Sequence, residues 1–154
     1  MESDKSPRGS QKIEERVFSC TCFNLRKAAR AVTQVYDEAL QPSGLRTTQF
    51  SLLAALNHMQ LATVSELARG MVMDRTTLTR NLKPLEQKGW IKSVAGADRR
   101  MRELTLTVKG SKALSNAMPM WKKAQKEMVG LLGKQRWRGL LDNLSFAVQM
   151  VEEG

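Results

Sequence analysis

The sequence predicts a mainly α-helical fold with one β-hairpin, and three observations carry that prediction. Apolar residues recur at helical spacing over most of the chain. Two short runs, Trp90 to Ala95 and Met101 to Thr107, read instead as strands, with Leu104 and Leu106 alternating with Glu103 and Thr105. The turn between them, "GADRR", sets Arg99 and Arg100 next to each other in sequence, where two like charges are expected to repel and to find no packing partner.

The elements follow in chain order. Residues 1–12 form a polar tail with Pro and Gly and no apolar segment behind it, so no signal peptide is expected. A helix is expected from Ile13 to Leu40, with Val17, Leu25, Ala28, Val32, Val35, Tyr36 and Ala39 on one face. Pro42 and Gly44 end it. Thr47 or Thr48 is expected to cap a second helix through Phe50, Leu53 and Leu56. Thr63 and Glu66 have the spacing of a capping box for a third, ending near Gly70. Asp74 caps a fourth, which carries Leu78, Leu82 and Leu85 on one side and stops at Gly89, with a kink expected at Pro84. After the hairpin, Thr107 caps a long helix to about Leu132; Gly133 and Lys134 break it, and a last helix follows.

The chain of 154 residues carries a formal charge of +10. Such a balance favours anionic partners. No apolar run approaches the ~20 residues of a spanning helix, so no membrane partner is expected. Two cysteines, Cys20 and Cys22, imply no disulfide framework and fit a reducing cytoplasm.

Three short helices followed by a two-stranded hairpin is the order of a winged helix-turn-helix domain, and "GMVMD", with Gly70, supplies its short turn. On the fourth helix Leu78, Leu82 and Leu85 cluster in one arc, while Thr76, Thr79, Arg80 and Lys83 point to the other side, and Arg75 opens the first two turns that are expected to read DNA. Small hydroxyls and basic groups suit the edges and phosphates of a DNA major groove. The hairpin then lies near the adjacent minor groove, whose negative potential attracts arginine. Asp98 is placed to pair with Arg100 and hold the turn, leaving Arg99 and Arg102 for phosphates. Ser65 and Thr77 complete the expected DNA-contacting set.

The stretch from Ser65 to Gly110 resembles the MarR family of bacterial transcription regulators. The resemblance rests on Leu67-Ala68, Asp74, Thr77-Leu78-Thr79-Arg80, Leu82, Leu85, Lys88-Gly89 and Ile91, and on the wing pattern Asp98, Arg100, Leu104, Leu106, Thr107 and Gly110. It implies a homodimer on a pseudo-palindromic operator, usually repressing and released by a ligand or an oxidant. The expected organisation is therefore a tail over 1–12, an N-terminal helix of a dimerisation region over 13–46, the DNA-binding domain over 47–108, and C-terminal dimerisation helices over 109–154. Apolar faces holding Met118, Trp121, Leu131, Leu140, Leu144 and Val148 support the dimer, against the alternative that these helices fold back on their own domain.

Cys22-Phe23-Asn24-Leu25 resembles the cysteine segment of the organic-hydroperoxide-sensing branch of that family. The branch has a tyrosine after the leucine, where this chain has Arg26. Cys22 and Cys20 are thus candidate redox residues; the alternative is inert helix packing. On one helix they would lie about 200° apart, too far around to bond each other easily. The family's commoner switch is a small amphipathic effector in a cleft, for which Arg26 and Arg30 are candidates, with Lys27 nearby. His58, the sole histidine, is counted with Arg26 and Arg30 as a possible cleft residue, the alternative being an ordinary partly buried side chain. No cofactor and no metal site is expected: there is no second Cys/His cluster, Gly-rich phosphate loop or nucleophile elbow. An enzyme is not expected. The competing readings are a sequence-tolerant architectural DNA binder and, behind it, a thiol-based peroxide enzyme.

Overall fold

The structure, a computed structural model, describes residues 13, 16–96 and 102–153. They fall into two compact units, one up to Val35 and one from Tyr36 onward. In the first, the expected single helix from Ile13 is interrupted. Residues 16–18 are helical, Ser19 turns, Cys20 lies outside any helix, and α1 begins anew at Thr21 and runs to Leu40. Short polar side chains cause the break by competing for backbone groups. Ser19 Oγ donates to the Arg16 carbonyl at 3.0 Å, and the Cys20 amide reaches back only to Val17, at 3.1 Å. Asn24 Nδ2 donates to the carbonyls of Phe18 at 2.7 Å and Cys20 at 3.0 Å. Phe18 and Phe23 meet edge to face across the break, with ring centroids 5.8 Å apart.

The second unit starts with the last turn of α1. A 3-10 turn, Gln41–Ser43, ends at Gly44 in the left-handed region, φ 73°. The helix α2, Thr47–Met59, follows. Neither threonine caps it. Arg46 is the N-cap, the Thr47 amide donates to Asp37 Oδ1 at 2.6 Å, and the Arg46 amide donates to Gln49 Oε1 at 3.1 Å. The capping carboxylate comes from ten residues upstream, beyond any local sequence signal.

A short strand β1, Ala62–Thr63, precedes α3, Val64–Gly70, and α4, Arg75–Gln87. The wing strands are β2, Ile91–Ala95, and β3, Arg102–Leu106. The sheet has three antiparallel strands in the order β1-β3-β2, one more than the expected hairpin. Ala62 lies opposite Leu104, and Ser93 opposite Leu104 on the other side. A two-residue strand is too short for alternation to reveal. The chain ends in α5, Val108–Leu132, and α6, Lys134–Glu153, separated at Gly133 with φ 78°.

One apolar core holds the unit together. Leu40, Leu52, Leu53, Leu56, Leu67, Leu78 and Leu85 are fully buried, joined by Ile91, Leu104, Leu114 and Ala117. Met118 and Trp121 pack against this core, and Trp121 stacks on Phe50 with centroids 5.8 Å apart and planes 12° from parallel. Both are expected from their spacing to lie on outward, dimer-forming faces; in the structure they pack inward on the core of the same chain. Tyr36 is also buried, donates its hydroxyl to Gln125 Oε1 at 2.5 Å, and has its pKa raised by that burial. In contrast, α6 has no buried residue.

At the start of α5, Thr107 is the N-cap and its Oγ1 accepts from the Gly110 amide at 3.0 Å. Gly110 lies against the backbone of Trp90, so closely that an added Cβ would sit 1.9 Å from the Trp90 carbonyl oxygen. Backbone cannot yield as a flexible side chain does. Gly110→Ala is therefore expected to lower unfolding free energy by about 2 kcal/mol or more in urea titration, the scale of an overpacked core site.

Candidate nucleic-acid interface

The helix α4 is set in place from both ends and from beneath. At its start, Asp74 Oδ1 accepts from the Thr77 amide at 2.8 Å. Below, Leu78, Leu82 and Leu85 are buried in the core. At its end, Gly89 takes φ 68° and the Trp90 amide donates to the Leu85 carbonyl at 2.9 Å. Pro84 is accommodated within the helix, which continues to Gln87. The preceding α3 is fixed by the predicted capping box: Thr63 Oγ1 accepts from the Glu66 amide at 3.2 Å, and Glu66 Oε2 accepts from the Thr63 amide at 2.7 Å.

The turn between α3 and α4 departs from expectation. Gly70 is the last residue of α3, and the left-handed residue is Val72, φ 51°. A β-branched residue is uncommon there. The Met73 amide nevertheless reaches the Ala68 carbonyl at 2.9 Å, so the turn is closed by hydrogen bonding.

With the apolar side buried, Arg75, Thr76, Thr79, Arg80 and Lys83 emerge together along one surface depression. All five are exposed. Thr79 Oγ1 donates to the Arg75 carbonyl at 2.7 Å, which commits the proton but leaves the oxygen able to accept. Thr77 is half-buried, unlike its neighbours, and its amide is the one the cap engages. Ser65 is exposed on α3. Glu86 also lines the depression, an acidic residue outside the expected basic set. Its carboxylate bounds the cationic surface beyond Lys83.

On the wing, Arg102 is exposed at the start of β3, and its Nε donates to Ser93 Oγ across the hairpin at 2.8 Å. Ser93 thus fixes Arg102, a link that only the strand register reveals. Asp98, Arg99 and Arg100 lie outside the described residues. Lys88 is held elsewhere, 4.4 Å above the Trp90 ring and 3.5 Å from the Gly44 carbonyl.

The remaining candidates belong to different units. Cys20 and Cys22 are both exposed. Cys20 lies in the break before α1 and Cys22 in its first turn, so the 200° argument against their joining, which assumed one helix, does not apply. Arg26 and Arg30 are exposed on α1 in the first unit. His58, in the second, is exposed near the end of α2 rather than partly buried. Among the described residues no group of three or more His, Cys, Asp or Glu is placed to hold a metal ion. No helix among them is long and apolar enough to cross a membrane.

This arrangement is that of a winged helix-turn-helix protein, with α3 and α4 as the helix pair and β2–β3 as the wing. Residues 45–101 match the model of the MarR family. An uncharacterised helix-turn-helix transcriptional regulator of Bacillus cereus is 33% identical over 69% of this chain and 71% of its own length. The regulator YwoH of Bacillus subtilis is 31% identical over 57% of this chain and 64% of its own. The chain spans a little under two thirds of YwoH and of the Staphylococcus haemolyticus regulator SarZ, 64% and 61% respectively. Among solved structures, the Mycobacterium tuberculosis transcriptional regulator MosR, crystallised with DNA, is 42% identical over 86% of this chain and 98% of its own, with a TM-score of 0.75. The repressor CouR, bound to a 23-mer duplex, is 25% identical over 86% of this chain and 94% of its own, at a TM-score of 0.77. The chain belongs to the MarR family, and its fold and relatives are those of transcriptional regulators rather than enzymes.

The cap beneath the exposed face has a pH signature. Thr77, through its side chain first and then its amide, holds Asp74 below its ordinary 3.8; the Thr63 amide and then its hydroxyl do the same for Glu66 from 4.5. A depressed carboxylate stabilises the fold above its unfolded pKa, and that contribution is lost as pH falls through the folded value. Asp74→Ala should lower the urea midpoint at pH 7, and the gap from the parent protein should close on acidification below the ordinary carboxylate range. An unchanged gap at low pH would contradict the charged cap.

Proposed function

We propose that the protein is a sequence-specific DNA-binding transcriptional regulator that acts as a homodimer on a pseudo-palindromic operator, with repression as its default. The observation that carries this reading is the exposed surface of Arg75, Thr76, Thr79, Arg80 and Lys83 on a helix whose opposite side is locked into the core. A rigid helix can present hydroxyls and cations to base edges in register; a mobile one cannot. Ser65, Thr77, Arg99, Arg100 and Arg102 are assigned to flanking backbone and minor-groove contacts, with Asp98 steadying Arg100. The MosR and CouR structures, each with DNA bound, support the same reading. A dimer supplies the two linked readers that paired half-sites need.

Release follows from a population shift: an effector or oxidant that favours a form with wrongly spaced α4 helices lowers operator affinity. Cys20 and Cys22 are the oxidation candidates, because both thiols are exposed at a break in the helix. Arg26, Arg30 and His58 are the candidates for recognising an anionic effector.

The test compares variants by fluorescence anisotropy on a duplex enriched from random DNA. Arg80→Ala and Arg100→Ala should each weaken binding by roughly 10-fold or more, the scale of one lost base or charge-assisted contact. Lys109→Ala, away from the proposed face, should change it little. Equal small losses at all three positions would overturn the assignment of the face. Peroxide should weaken binding of the parent protein and leave a Cys20→Ser/Cys22→Ser variant unaffected; the same response in both removes the thiols from the switch.

A further inference from the structure

The two cations on the wing strands have different neighbours across the hairpin. Lys92 lies opposite Thr105 and Val94 opposite Glu103, so Lys92 and Glu103 are diagonal neighbours on one face of the sheet. Ser93 lies opposite Leu104 and Ala95 opposite Arg102, so these residues share the other face, the one whose Leu104 is buried in the core. Diagonal neighbours are ~7–8 Å apart, within reach of a long side chain. Ala95 offers only a methyl group directly across from Arg102. The guanidinium reaches diagonally to Ser93 instead, and its Nε donates to Oγ at 2.8 Å. Lys92 thus has a carboxylate for its diagonal neighbour, and Arg102 a hydroxyl.

That difference decides what Arg102 can do. A hydroxyl fixes a guanidinium without cancelling its charge, as a carboxylate would. The guanidinium is a planar fork of N–H donors with no acceptor. Spending Nε on Ser93 closes the side-on edge, made by Nε and the nearer Nη. It leaves the end-on edge, where Nη1 and Nη2 offer parallel donors that match the oxygens of one phosphate. A minor-groove A·T pair matches this edge poorly, since each of its bases shows a single acceptor there. Position agrees with the chemistry. Arg102 is exposed, and Ala95–Arg102 is the outermost pair of the described strands, behind the turn that carries Arg99 and Arg100. A duplex engaged by that turn has its backbone beside the strand pair behind it.

We infer that Ser93 is a positioning residue for DNA binding: by holding Nε it makes Arg102 an end-on clamp for one backbone phosphate of the bound duplex. The inference rests on the DNA-binding reading and adds to it a residue with no charge and no DNA contact of its own. Pre-setting the fork lowers the conformational entropy lost when the phosphate arrives, which a free arginine on an edge would lose in full.

The experiment measures Kd by fluorescence anisotropy over a salt series, on the duplex enriched from random DNA. It compares the full-length parent with Ser93→Ala, Ser93→Thr, Arg102→Ala and the double variant S93A/R102A. Arg102→Ala should weaken binding by roughly 10-fold and lower the steepness of log Kd against log salt by about 1, as one lost phosphate contact does. Ser93→Ala should weaken binding by roughly 3-fold or more and lower the steepness in the same direction, although serine carries no charge. Ser93→Thr, which keeps the hydroxyl on a strand, should restore both. The double variant should bind as Arg102→Ala does, since Ser93 acts only through the arginine. Binding unchanged by Ser93→Ala, or a Ser93→Ala loss that persists in full in the double variant, would overturn the positioning role. No effect of Arg102→Ala on a duplex whose binding Arg80→Ala does weaken would overturn the clamp and leave the DNA-binding reading intact. A parent protein that enriches no duplex would overturn that reading, and the clamp with it.

Discussion

One backbone carbonyl organises the working part of this molecule. The Trp90 carbonyl accepts from the Thr107 amide at 3.0 Å, and Gly110 packs directly on the same peptide. Thr107 Oγ1 also donates to the Gly89 carbonyl, where α4 has just ended. The junction therefore joins four things: the end of α4, the first and last residues of the wing, and the start of the long α5. No side chain larger than hydrogen fits at residue 110. The cost of that junction is one obligatory glycine, and its return is that the wing and α4 cannot move independently at their shared root.

From this root the functional surface follows in steps. The leucines of α4 face the core, so its hydroxyls and cations face outward by default of helix geometry. The Asp74 cap fixes where the helix begins, and Glu86 sets where the cationic surface ends. Ser93 carries the same logic onto the wing by holding Arg102 across the strand pair. Lys88, which by charge alone belongs with the others, is withdrawn onto Trp90 and Gly44. Net charge attracts anions in general; in the proposed function it is the placement of five side chains on one helix that discriminates among sequences.

Much of this was legible in the sequence because the signals were local. The Thr63–Glu66 box, the Asp74 and Thr107 caps, and the stops at Gly44, Gly89 and Gly133 all act within a few residues. What escaped was set by contacts distant in sequence or by side chains with two plausible roles. Asp37 caps α2 from ten residues away, and β1 exists only because β3 comes to lie beside it. Trp121 has the spacing of an outward face yet stacks inward on Phe50. The break before α1 was hidden because Val17 and Leu25 keep helical phase across it, while the deciding group, the Asn24 carboxamide, reads in sequence as an ordinary helix residue.

The most direct measurement is enrichment of duplex DNA from a random pool by the purified, reduced protein at physiological salt. The account predicts an inverted repeat with half-site centres about one helical turn, or ~34–36 Å, apart, bound at least ~10³-fold more tightly than unrelated DNA. Recovery of unrelated sequences, held with steep salt dependence and no base preference, would contradict it and leave the cationic face as a general DNA-adhering surface.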